Sequence, residues 1–339
     1  MTQRLVTAPS DEDRVFEAGL RPRRLAEYVG QTKIVENLAV YIKAAKMRGD
    51  PLDHALFHGP PGLGKTTLAY IMAEELGVPI KCTTGPALER TGDLAAILTN
   101  LEYRGVLFID EIHRLHPSIE ELLYPALEDF HLDIIIGQGP SARSMRLPLK
   151  RFTMIGATTR VGLLTSPLQS RFGIVERLGY YSAAELGSII MRSAGILGIS
   201  VDSDAATEVA ARARGTPRIA NRLLRRVRDF AMVSGRRLVD VQTARVGLER
   251  LGIDPNGLDE IDVKILETAV KTFAGRPVGL KSIAVAVGEA PDTIEDVYEP
   301  YLIQNGFLSR TPKGRVATDR AFAYFDMQRP SAIQGGLFE

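Results

Sequence analysis

The run Gly59-Pro-Pro-Gly-Leu-Gly-Lys65-Thr66 joins a glycine-rich loop to a lysine and a hydroxyl, a P-loop pattern suited to gripping a nucleoside triphosphate. Its glycines let the backbone curl until N–H groups face phosphate oxygens. Lys65 can reach the β- and γ-phosphates, and the Thr66 hydroxyl can bind Mg²⁺. A second group lies in Gly105-Val-Leu-Phe-Ile-Asp110-Glu111-Ile-His113. Asp110 suits the Mg²⁺ shell, and Glu111 can orient and polarise an attacking water, because γ-phosphate hydrolysis needs a positioned nucleophile. His113 reads either as a local hydrogen-bond partner or as a coupling residue. In Phe152-Thr-Met-Ile-Gly-Ala-Thr158-Thr159 a terminal hydroxyl can sense the γ-phosphate. Arg171, in a short loop before Phe172, is a solvated charge unless the chain forms rings, where it can reach a neighbour's site as an arginine finger.

These groups need particular supports. Ala55, Leu56 and Phe57 predict a strand into the glycine loop. Leu68, Ile71, Met72 and Leu76 predict a helix after it, stopped by Gly77. Four apolar residues before Asp110 predict a buried parallel strand with the acid at its C-terminal end, where α/β sheets place ligands. Val78–Cys82 predicts another strand, with Cys82 expected as a buried small residue. Asp93 is expected to cap one helix and Ser118, with Glu121, another. Leu132–Ile136 and Met145–Leu149 predict an unusually apolar hairpin, either extending the sheet or docking a partner through Ile134, Ile135, Ile136, Leu147 and Leu149. Residues 1–16 are expected to be flexible, and the arm from Leu20 to Gln31 could cover a nucleotide base.

From Ser182 the pattern changes to helices. In Gly215-Thr216-Pro217-Arg218, Thr216 is expected as an N-cap with Pro217 at the first helical position. A cation in that turn is mildly unfavourable, so Arg218 is expected to face an anion such as a nucleotide phosphate. Gly252–Gly257 predicts a linker. Beyond it come three helices, with a kink expected at Pro300. A hairpin closing through Thr311-Pro312-Lys313-Gly314 completes a winged-helix pattern. Arg310, Lys313 and Arg315 form a basic patch with no acid between Tyr301 and Thr318, suited to DNA phosphates.

The composition, 45% hydrophobic and 24% charged, is that of an ordinary globular protein. The net charge of +1 announces no bulk affinity for nucleic acid, and one cysteine allows no internal disulfide framework and fits a reducing cytoplasm. No apolar run approaches a membrane span. The organisation expected is a large domain at 1–181 with a hairpin at about 131–150, a lid at 182–254 and a winged-helix head at 255–339.

In this order the motifs resemble the AAA+ ATPases. The Leu20-Arg-Pro-Arg arm, the apolar hairpin and the Arg310–Arg315 wing closely resemble the RuvB family of Holliday-junction branch-migration motors. The resemblance implies an α/β P-loop AAA+ ATPase domain (a parallel sheet with helices on both faces), then a helical small domain and a C-terminal winged helix. It implies ATP and Mg²⁺ as ligands, a homohexameric ring on duplex DNA, RuvA and a junction resolvase as partners, and a cytoplasmic location. It implies that Leu20, Arg21, Tyr28 and Val29 surround the adenine and ribose. Gly62, Leu63, Gly64, Lys65, Thr66 and Thr67 would hold the phosphates. Thr158 would be the first sensor, Arg171 the trans finger and Arg218 the second sensor, beside Pro217. Tyr181, and Glu128, Asp129 and Phe130, would be further nucleotide contacts. Arg310 and Arg315 match the wing's DNA contacts, and the hairpin matches the RuvA-docking element. A clamp-loader-like subunit, a protein unfoldase and an ATP-gated DNA-binding regulator are the alternatives.

Overall fold

The computed structural model describes residues 11–136 and 143–330. It forms two compact units, one of residues 18–181, the other taking the residues up to Glu17 together with those from Ser182 onward. Residues 11–16, expected to be irregular, begin a helix, α1 (Asp11–Leu20).

In the first unit, α2 (Thr32–Arg48) precedes β1 (Ala55–His58), α3 (Lys65–Leu76), β2 (Ile80–Thr84), α4 (Thr91–Thr99) and β3 (Val106–Asp110). Then come α5 (Pro117–Glu128), β4 (His131–Ile136), β5 (Arg143–Pro148), β6 (Thr153–Thr158), α6 (Ser166–Gln169) and β7 (Ile174–Arg177). Five strands make one parallel sheet in the order β2-β3-β6-β1-β7, so no two neighbours in it are joined by a hairpin. The central strand β6 is buried along its whole length, as a near-continuous apolar run demands when both faces are covered. The core joins Leu107 and Ile109 of β3, Leu94 and Leu98 of α4, and Ile119 and Leu123 of α5.

Local chemistry departs from expectation at three points. Cys82 is exposed, because β2 is an edge strand of half-open character. Asp93 occupies the third helical position of α4, its carboxylate accepting from the Arg90 N–H at 3.1 Å, rather than the cap itself. The cap of α5 is His116, whose Nδ1 accepts from the Ser118 N–H at 3.4 Å; Pro117 takes the first turn and displaces the expected Ser118 box.

In the second unit the lid comprises α7 (Ala183–Leu197), β8 (Ser200–Val201), α8 (Ser203–Ala211), α9 (Pro217–Val233), β9 (Leu238–Val239) and α10 (Val241–Arg250). Ser182 and Glu185 form a capping box on α7, and Thr216 caps α9 with Pro217 at its start. The head has α11 (Glu260–Glu267), α12 (Leu280–Val287), α13 (Pro291–Thr293), α14 (Glu299–Gln304), β10 (Leu308–Thr311), β11 (Gly314–Ala317) and α15 (Asp319–Tyr324). A π-helical turn over Ile294–Tyr298 joins α13 to α14, and this local widening receives Pro300 in the first turn of α14. Tyr298, Leu302, Phe307 and Phe322 are at the centre of the head's own core.

Candidate functional site

The C-terminal edge of the sheet collects the polar residues. β1 ends at His58, and the loop turns at once into α3, with Gly64 at φ 101. A Cβ on Gly64 would lie 2.5 Å from the Tyr28 hydroxyl, so that position excludes any side chain. Lys65 is buried, and its ammonium donates to the Gly59 and Pro60 carbonyls at 2.7 and 2.8 Å. The Thr66 hydroxyl donates to Asp110 at 3.2 Å, bringing the two expected Mg²⁺ ligands together. Glu111 follows in the left-handed region, at φ 50, a strained conformation for a glutamate and one that concentrates at functional sites. Its carboxylate pairs with Arg114 at 3.2 Å on the surface. Burial, Arg177 and Lys65 together push the His58 imidazole below its ordinary pKa, so it adds no positive charge beside the loop at neutral pH.

Thr158, at the end of β6, is buried and shares a 3.0 Å hydrogen bond with Nδ1 of His113. The same hydroxyl accepts from the Arg160 N–H at 3.0 Å. His113 therefore joins the segment after Asp110 to the end of β6. The coupling reading of His113 names no partner in the sequence, because the two ends of this bond are 45 residues apart.

The N-terminal arm reaches the same edge. Tyr181 Oη lies 2.9 Å from Tyr28 Oη and 3.1 Å from the Leu63 carbonyl oxygen. Burial and the neighbouring Tyr181 raise the Tyr28 pKa well above its usual value, so the phenol stays protonated. Arg21 lies 5.4 Å over the Tyr70 ring of α3, Leu20 is buried and Val29 half-buried. Gly62 (φ 80), Leu63, Thr66 and Thr67 occupy the loop and the first turn of α3.

Arg171 and Glu128–Phe130 belong to the opposite edge. Phe130 meets Phe152, the residue before β6, at 5.8 Å edge to face, and its φ is 54. The Ile174 N–H donates to the carbonyl of His54, just before β1. The six residues of β6 span roughly 20 Å at strand rise. Phe130 is thus an element of the core at the N-terminal edge of the sheet, and Glu128, Asp129 and Phe130 are not contacts to this chain's own loop, contrary to the simplest form of the expectation. Arg171 donates to Glu128 at 2.7 Å and to the Pro167 carbonyl at 2.7 Å, with its guanidinium 5.0 Å over Tyr124.

In the second unit, Arg218 does face an anion, and it is Glu17, at 3.4 Å. Phe16 lies under Arg225 at 4.8 Å. In the wing, Arg310 and Arg315 face each other across β10 and β11. Arg315 is held on Glu299 at 2.9 Å, with only 11% of its side chain exposed against 3% for Glu299. Arg310 pairs with Glu295 but remains 55% exposed. Lys313, between the two strands, is exposed. Arg315, expected in a basic patch free of acids from Tyr301 to Thr318, is paired with an acid that lies just before that stretch, Glu299 at the start of α14.

The hairpin is corrected in part. Leu149 is buried in the core of the first unit, its N–H bonded to the Phe130 carbonyl at 2.7 Å, so it is not free for docking, while Leu147 is half-buried against that core. The side chains of Ile134, Ile135 and Ile136 lie outside the described residues. Met145 is 46% exposed.

Three family models cover the chain in succession. They are the Holliday junction DNA helicase RuvB P-loop domain over residues 20–178, the RuvB AAA lid domain over 181–254 and the RuvB C-terminal winged helix domain over 255–326. The chain belongs to the RuvB family. It is 62% identical over 327 residues to the Holliday junction branch migration complex subunit RuvB of Myxococcus xanthus (strain DK1622), covering 96% of this chain and 95% of that one. It is also similar in structure to the Thermotoga maritima RuvB Holliday junction branch migration motor, with a TM-score of 0.84, 48% identity, and coverage of 92% of this chain and 100% of that one. A mutant of the same Thermotoga maritima protein gives a TM-score of 0.85 at 48% identity, covering 92% and 99%. Membership makes the first unit a P-loop AAA+ ATPase domain and sets aside the clamp-loader, unfoldase and regulator readings. Among the described residues no helix is long and apolar enough to cross a membrane.

Proposed function

We propose that this chain is an ATP-driven motor that moves duplex DNA to drive branch migration of Holliday junctions in recombination and repair. The observation that carries the reading is the convergence of Lys65, Thr66, Asp110 and Thr158 at one edge of the sheet, in a chain that ends in a winged helix. ATP binds with its phosphates in the loop Gly62–Thr67, and Lys65 exchanges its carbonyl partners for phosphate oxygens. Leu20, Arg21, Tyr28, Val29 and Tyr181 enclose the base and ribose. Thr66 and Asp110 would hold Mg²⁺, which neutralises phosphate charge when bound. One carboxylate and one hydroxyl suit an ion that takes its other ligands from water and phosphate, and the described residues contain no richer cluster of metal-binding side chains. Glu111 orients the attacking water.

Arg171 acts on the site of a neighbouring subunit in a homohexameric ring, together with Glu128–Phe130. Its position at the far edge of the sheet supports this, because it leaves the finger no route to its own loop. Thr158 and Arg218, the latter beside Pro217, sense the γ-phosphate, and release of phosphate alters what they hold. Arg310 and Lys313 track DNA phosphates, contacts that carry no sequence information and suit a motor running on any sequence. Arg315 joins them if phosphate displaces or shares Glu299. Ile134, Ile135 and Ile136 of the hairpin dock a RuvA partner, and a junction resolvase completes the complex, in the cytoplasm.

The test is ATP turnover with duplexes of unrelated sequence. Equal stimulation by all of them, lost in Glu111→Gln while ATP binding persists, is expected. Tight binding to one sequence without turnover would overturn the reading.

A further inference from the structure

Two buried arginines have no part in the roles above. Arg212 and Arg214 lie between α8 and α9, 5% and 4% exposed. Arg212 pairs with Glu208 at 2.5 Å and donates to the Ile253 carbonyl at 3.0 Å. Arg214, at φ 54, donates through Nε to the Gly257 carbonyl at 2.9 Å, and its guanidinium lies 5.1 Å over the Tyr301 ring. Its far end pairs with Asp262 and, at 3.1 Å, with Asp259. Those two acids are the cap and third residue of α11, the first helix of the head. A lid arginine is thereby seated in the first turn of the head.

The connector Gly252–Gly257, expected as a linker, is gripped along its length. The Tyr301 hydroxyl donates to the Asn256 carbonyl at 2.6 Å, and the Leu258 N–H donates to Asp254 at 2.7 Å. Gly257 has φ 72, and a Cβ there would lie 2.8 Å from the Tyr301 hydroxyl and 3.1 Å from the Arg212 carbonyl oxygen. A free chain of six residues would wander over about 13 Å and absorb any displacement applied to it. This segment is instead a closely fitted joint. Burial alone would push the Arg214 guanidinium down, but Asp262 and Asp259 keep its pKa above the ordinary value, so the charge stays in place.

Arg214 also begins the sequence Arg214-Gly215-Thr216-Pro217-Arg218, in which Thr216 caps α9. We propose that Arg214 is the positioning residue that couples nucleotide state to DNA grip, fixing the head to the start of α9 so that displacement of Arg218 passes to the wing. The proposal rests on the reading of Arg218 as a nucleotide sensor. A buried ion pair suits this use: breaking it strands charge, so the joint is either made or lost, with little compliance between.

The experiment uses the full chain assembled on duplex DNA with its junction-binding partner. Arg214→Met combined with Asp262→Asn removes the fully buried pair and leaves Asp259, 17% exposed, on the Ile261 and Asp262 N–H groups that it caps; Arg214→Lys keeps the charge but loses the planar fork. Two ratios are read in the same preparations: ATP consumed per junction migrated, and DNA affinity with a non-hydrolysable ATP analogue against that with ADP. For the double variant we expect turnover without DNA within about twofold of the parent, an affinity ratio collapsing towards one, and ATP consumed per junction rising at least about tenfold, with Arg214→Lys between. Ratios unchanged in the double variant overturn the proposal. So does a loss of turnover that matches the loss of migration, because that marks a general fold defect. Arg218→Ala, run alongside, reports on the sensor reading itself. No effect there removes that reading and the source of the motion; an effect at Arg218 with none at Arg214 removes the joint alone.

Discussion

Replacing Arg171 by alanine separates a structural from a catalytic role, because the two carry different magnitudes. Within the chain Arg171 pairs with Glu128 at 2.7 Å, with 23% of the arginine and 62% of the glutamate side chain exposed. A pair so open to solvent is worth about 0–1 kcal/mol. The contact over Tyr124, at 5.0 Å, adds roughly 0.5–1 kcal/mol. Loss of both lowers stability by about 1–2 kcal/mol, a fall in Tm of a few degrees for a domain of this size. An arginine finger contributes a factor of roughly a thousand or more to turnover, about 4 kcal/mol of the barrier. Arg171→Ala is therefore expected to remain folded and bind nucleotide while its ATP turnover collapses. The decisive assay mixes Arg171→Ala with Glu111→Gln chains. A ring that places an intact Arg171 from the Glu111→Gln chain beside an intact Glu111 restores turnover, although neither parent is active. No restoration at any mixing ratio would refute the trans assignment, and a loss of turnover no larger than the loss of stability would refute the catalytic one.

Arg310→Ala with Lys313→Ala should weaken DNA binding and flatten its salt dependence by about one to two counterions, measured by titration at several salt concentrations with basal ATP turnover retained. Arg315→Ala should instead destabilise the head, by about 1.5–3 kcal/mol in chemical denaturation, because it leaves the buried Glu299 carboxylate only the more distant Arg310, at 3.7 Å; a change confined to the salt slope would contradict that. Thr158→Val removes the hydroxyl shared by His113 and the Arg160 N–H, and is expected to preserve nucleotide affinity while reducing hydrolysis in single-turnover assays. His54 is buried, Nδ1 accepting from the Met154 N–H and Nε2 donating to the Leu127 carbonyl, and burial lowers its pKa. The unfolded chain then binds a proton that the native state refuses, so stability should fall as pH drops below about 6.5, a slope that His54→Gln should reduce in urea unfolding at paired pH values.

The parts of the site legible in sequence were those whose partners are close in the chain or fixed by a motif. The loop around Lys65, the acid ending β3 and the hydroxyl ending β6 follow from strand burial and the parallel sheet. The caps at Ser182 and Thr216 follow from local hydrogen bonding. What was not legible depends on distant pairing. Glu17 and Arg218 are 201 residues apart, and Glu128 and Arg171 are 43 apart. The wing charges read as an unbalanced patch because Glu295 and Glu299 precede it on a helix that folds back on it. Cys82 was misjudged because an apolar run does not say whether its strand lies inside or at the edge of a sheet. Leu149 was misjudged because hairpin apolarity does not say how much of it the core takes up.

The most direct measurement is migration of a synthetic four-way DNA junction by the purified chain, with and without RuvA and with and without ATP. The account predicts movement that requires ATP, is strengthened by RuvA and disappears in Glu111→Gln. ATP hydrolysis with no junction movement, even with RuvA present, would contradict it.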